Sequence, residues 1–112
     1  MAVFRSYAAH VKDNDVTVYT VPSGKTAIVI GSQAANAHEE LLDLSVWWTD
    51  ADDNDEPYSL LNKVVIPESA SLVPIGGKLI LAEGDQIKAV SEGAEDEDNG
   101  IDITLSVLEM DA

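Results

Sequence analysis

The chain has 112 residues, 46% of them hydrophobic, which gives room for one packed domain and excludes disorder throughout. Twenty-one acids against six bases leave a net charge of −15, which disfavours direct contact with the phosphates of DNA or RNA. With no cysteine there is neither a disulfide framework nor a thiolate metal site.

Met1 is followed by Ala2-Val3-Phe4-Arg5 instead of a basic and then apolar leader, and no run of about 18 apolar residues occurs. Synthesis in a cytoplasm, away from any membrane, is expected. Residues 1–14 read as an N-terminal arm or an edge strand. From Asp15 to Thr20 apolar and polar residues alternate, and Pro22-Ser23-Gly24 supplies a turn. Lys25 to Ala35 is long and apolar, but Ile28-Val29-Ile30 is β-branched and Gly31 breaks it, which predicts a buried strand. A turn of helix within Ala34 to Leu42 is the single helical candidate, and the non-helical reading is preferred there.

Leu44, Val46 and Trp48 alternate with Ser45, Trp47 and Thr49 as a further strand. The acidic stretch Asp50 to Glu56 interrupts the pattern before a strand from Tyr58 to Ile66, closed by Pro67. Leu72 to Ile75 meets a kink at Gly76-Gly77 before Lys78 to Ala82. Glu83-Gly84-Asp85 marks a tight hairpin into Gln86 to Ser91. A second acidic stretch follows, and then Ile101, Ile103, Leu105 and Val107 share one side of a strand. Asp102, Thr104 and Ser106 share the other, where Leu108 is the apolar exception. Roughly seven to nine short strands with frequent turns predict a single antiparallel β-sandwich, jelly-roll-like or Ig-like, over residues 1–112.

Asp50, Asp52 and Asn54 have the alternate spacing of hard oxygen ligands for Ca²⁺. The EF-hand pattern then fails, because Asp55 stands where glycine is required and Leu61 where a bidentate glutamate is required. A solvated acidic loop is the first reading and a calcium site of another type the second. The two acidic stretches hold ten of the twenty-one acids, and a simple up-and-down strand count puts them at opposite ends of the sandwich. They read as exposed charged loops that limit aggregation. Gly24-Lys25-Thr26 imitates the end of a phosphate-binding loop but leads into a strand, so it is rejected. His10 and His38 lack the spacing of a paired metal site, and no serine is marked as activated, so no enzyme is expected. Adjacent residues on a strand face opposite ways, so Trp48 reads as core and Trp47 as a residue of the other face, near Tyr58. Trp47 and Tyr58 are candidates for a subunit contact or a glycan platform, the contact preferred.

Met1 to Tyr7, Tyr19 to Gly31, Ala35-Asn36, Ile66-Pro67 with Ser71-Leu72-Val73, Gly77 to Leu81, Gly84 to Ile87, and Leu105 to Glu109 form a set of turn, kink and hairpin segments over most of the chain. Together they resemble a family of small structural proteins of tailed bacteriophages. The resemblance implies a β-sandwich of the virion with no catalytic residues and no cofactor. Its partners would be other virion proteins and further copies of itself, as a symmetric oligomer with a trimer favoured. Capsid decoration is the first position it implies, and a tail, neck or fibre component the second. Asp50 to Glu56 and Glu92 to Asn99 depart from the family pattern. An adhesion module that binds glycan, with or without Ca²⁺, is the alternative from outside that class.

Overall fold

The computed structural model describes residues 2–94 and 100–112. Its strands are β1 (Val3–Val11), β2 (Val16–Thr20), β3 (Lys25–Asn36), β4 (Leu42–Asp50), β5 (Glu56–Ile66), β6 (Ser71–Leu72), β7 (Leu79–Leu81), β8 (Gln86–Val90) and β9 (Ile101–Asp111). A single 3₁₀ turn, Ala51–Asp53, joins β4 to β5. All pairings are antiparallel. One sheet runs β1-β9-β3, with β6 and β7 sharing the far edge of β3; the other runs β2-β8-β4-β5. With β6 and β7 taken as one strand split at the glycine pair, this is the order of an eight-strand jelly roll. Every connection except the β4–β5 hairpin then crosses between the sheets, so the chain does not meander up and down. Each still reverses the chain, so the two acidic loops do leave from opposite ends.

The core lies between the sheets, where side chains of alternate residues meet. Ile101, Ile103, Leu105 and Val107 are fully buried, as are Val29 and Leu81 of the same sheet and Leu44, Val46 and Ile87 of the facing one. Each such side chain contributes about 1.5–3 kcal/mol through burial. Ile30 is the extra residue of a bulge on β3, between the pairs Val29↔Val107 and Gly31↔Ser106. Beyond it the phase is restored, so Ala34 and Asn36 point inward. No helix forms over Ala34 to Leu42. β3 continues to Asn36, whose buried side chain donates to the carbonyls of Glu40 and Ile66 (3.0 and 2.8 Å) and accepts from the His38 amide (2.8 Å). These bonds hold the chain in an open bend, in place of the i→i−4 bonds of a helical turn.

Both ends are tied across the sheets. At one, Ser91 N–H donates to Lys12 O (2.8 Å), and Ala37 N–H to Gly100 O (3.0 Å). A Cβ at Gly100 would stand 2.6 Å from the Val11 carbonyl oxygen, so only glycine fits. At the other, the buried Asp85 carboxylate accepts from the amides of Ala51 and Ala82, both at 2.9 Å, which anchors the β4–β5 loop on the β7–β8 turn. Because Ile103 sits at the centre of this core, Ile103→Ala is expected to cost about 2–5 kcal/mol, read as a lower midpoint in urea denaturation.

Candidate functional site

Among the described residues, Asp43, Asp102 and Glu109 are the acids that stand inside strands; the others lie in connections or at the first or last residue of a strand. The sandwich therefore carries its negative charge at its two ends, and its broad faces are close to neutral. Within the strands β1, β9 and β3 the charged residues of the outer face are Asp102 and its partner His10, Nδ1 to Oδ1 at 2.7 Å, and Lys78 stands exposed just before β7 at the edge. The same face carries an apolar row at right angles to the strands. Phe4 stands opposite Leu108, Leu108 opposite Ile28, and Ile28 opposite Ile80 of β7. The outermost members, Phe4 and Ile80, are 74% and 70% exposed. Beside the row, Ile30 overhangs a shallow dip of about 320 Å³, also lined by Phe4, Ser6 and Ser106.

Between the sheets lies a polar cluster that the sequence reading missed. Glu109 is 6% exposed and follows Ile101, Ile103, Leu105 and Val107 in the inward phase of β9. Its carboxylate accepts from the hydroxyls of Tyr19 (2.6 Å) and Tyr7 (2.8 Å) and from Arg5 Nε (3.0 Å). The two phenol rings lie 4.5 Å apart, so β1, β2 and β9 are joined through one carboxylate. Burial alone pushes the Glu109 carboxyl up. The hydroxyls of Tyr19 and Tyr7, then the Arg5 guanidinium, outweigh burial and hold it below its usual value of 4.5. Burial, and next the Glu109 carboxylate, raise both phenols above 10.0, Tyr19 the further. Reading the phase of β9 one step past Val107 would have found Glu109.

The residues singled out from the sequence are only partly brought together. Asp50 caps the 3₁₀ turn, its Oδ1 accepting the Asp52 amide at 3.1 Å, and Asn54 and Asp55 adopt left-handed φ of 56° and 60°. Among the described residues no group of three or more acidic or histidine side chains is arranged to hold a metal ion. Residues 95–99 of the second acidic stretch lie outside the described residues. Tyr58 is the partner of Trp48, not of Trp47; the rings stack with centroids 5.1 Å apart. Directly opposed residues share a face, so Tyr58 follows Trp48 to the inner side, beside Asp53, Glu56 and Asp50. Trp47 faces outward in a groove of about 400 Å³ with Ser45, Ser59, Asn62, Lys63 and Glu92.

No protein-family model matches the chain, and no curated protein matches it in sequence. Solved structures do match its fold. The Bacillus endospore appendages, which are disulfide-linked pili, align at TM-score 0.59 and 6% identity over 99% of this chain and 87% of that one. The acid-stable capsid of a Helicobacter pylori bacteriophage aligns at TM-score 0.54 and 14% identity, over 96% of this chain and 86% of that one. The Sulfolobus turreted icosahedral virus aligns at TM-score 0.55 and 10% identity, over 97% of this chain and 29% of that one. At such identities the likeness is one of fold, shared by viral shells and by a pilus.

The buried cluster sets the pH response. Glu109 has a lowered folded value, so its contribution to stability is full above pH 4.5 and is lost as the pH falls below it. The two tyrosines have raised values, so theirs is full below pH 10.0 and is lost above it. Thermal midpoints measured across pH should fall on both flanks, with a shallower acid flank in Glu109→Gln. Tyr19→Phe removes a donor from a buried carboxylate and should cost about 1–3 kcal/mol.

Proposed function

We propose that the chain is a non-enzymatic structural protein of a bacteriophage virion, seated on the capsid surface as a decoration or accessory protein in a symmetric oligomer. The observation that carries this reading is the separation of charge: acidic ends at both poles of a jelly roll, with near-neutral faces between them. Ends of one sign repel one another, which leaves the faces for lateral packing. The likeness in fold to viral capsid proteins supports the same reading, as does the family resemblance of the sequence. A tail or neck position uses the same surfaces. Mass-spectrometric identification of the proteins in purified particles should find this chain at a fixed copy number per shell. Its absence from intact particles would sink the proposal.

The Trp47 groove favours one other reading, that of a glycan-binding module. An outward-facing indole in a groove with Ser59, Asn62, Lys63 and Glu92 as polar lining and Pro57 and Leu61 as apolar lining has the make-up of a sugar subsite. Tyr58 takes no part, because it stacks on Trp48. Titration calorimetry against a panel of neutral and acidic glycans should then give binding that Trp47→Ala abolishes. A panel without heat removes this reading.

A further inference from the structure

We propose that the outer face of the β1-β9-β3-β7 sheet is a self-association surface that takes the same face of a second copy, around a two-fold axis parallel to the strands. The pairing goes beyond the virion reading, since it is a property of the purified chain. The first argument is charge. Among the described strand residues of this face the only charges, His10 and Asp102, already pair with each other at 2.7 Å, and the one further charge near it is Lys78, exposed at the edge just before β7, so a strongly charged partner finds little to bind. What the face offers is Phe4, Leu108, Ile28 and Ile80 in one row, with small or neutral residues on either side of it. It selects an apolar, uncharged, flat partner, and the molecule itself carries one.

The second argument is register. A two-fold axis between β9 and β3 reverses the order of strands and leaves position along them unchanged. Phe4 then meets Ile80 of the second copy, and Leu108 meets its Ile28, so aromatic and aliphatic residues face each other along the whole row. One step along the strands, Ile30 of the bulge stands over the second copy's Ser106, which lines the dip beside Phe4. At the far end Asp102 meets Ala35, because the two are opposed within the sheet. No acid meets an acid. The area is on the scale of a reversible dimer. Three strands about 4.8 Å apart and about nine residues long at about 3.4 Å each, with the short β6 and β7 along the edge of β3, present roughly 500 Å² per copy in projection. Two copies together bury about 1,000 Å², the least that a specific interface takes.

Sedimentation velocity of the full chain over a concentration series tests this directly. Reversible dimers are expected, and they should tighten with added salt, since salt screens the repulsion between two chains of charge −15. Phe4→Lys and Ile80→Glu should each weaken dimerisation at least about tenfold. Both positions are exposed, so the unfolding midpoints should hold. In the double variant each new lysine faces a new glutamate of the other copy, and most of the affinity should return. Val65→Lys, at an exposed apolar position of the other sheet, should leave dimerisation unchanged. A chain that is monomeric at all concentrations overturns the inference. So does association indifferent to both single variants, or a double variant no better than either single one. Particle composition tests the virion reading separately, so the two stand or fall apart.

Discussion

Strand β9 is the member on which the others depend. It pairs with β1 over nine residues and with β3 over eleven, and its inward phase supplies four fully buried branched side chains to the core. The next inward residue, Glu109, then joins β1 and β2 through Arg5, Tyr7 and Tyr19. One strand thus sets the register of its sheet, fills the centre of the core and fastens the two sheets at the β1–β2 side. Its outward phase carries Leu108, the middle of the apolar row. The plain alternation of an amphipathic strand is modified at these two positions, one in each phase.

Both positions were visible in the sequence. Leu108 broke the polar phase, and Glu109 broke the apolar one. An acid near the end of an acidic chain carries no mark of burial until its phase along the strand is counted, which is why Leu108 stands out on reading and Glu109 does not. The class of fold was legible for the usual reason: period-two alternation, β-branched runs and glycine turns all agree with one another. The order of strands was not, since it depends on which apolar faces meet across the core, and alternation carries no record of that. The pairing of aromatic residues was lost to bulges. Between Leu44 and Trp47 the β4–β5 ladder shifts twice, with Lys63 at a left-handed φ of 50°, and that shift sets Tyr58 against Trp48.

The acidic character also changes meaning once the strands are placed. In the sequence it is two clusters and a large net charge. In the fold it is a pattern of ends against faces, because among the described residues the interiors of the strands hold only Asp43, Asp102 and Glu109, and the connections and strand ends collect the other acids. That arrangement follows from packing: acids inside strands would lie on a sheet face, either buried or in repulsion with cross-strand neighbours. It leaves a surface on which approach from the side is electrostatically cheaper than approach from either end.

The margins of the two sheets carry a last consequence. Three of them are poorly suited to accept another strand: β2 has five residues, β6 and β7 have two and three, and β5 is bulged twice. Strand β1, nine residues long and regular along β9, is the exception. A particle with one receptive margin can join one neighbour by strand addition, and the joint consumes the margin of both. Growth by that route stops at two copies, so strand addition alone does not thread the chain into fibres.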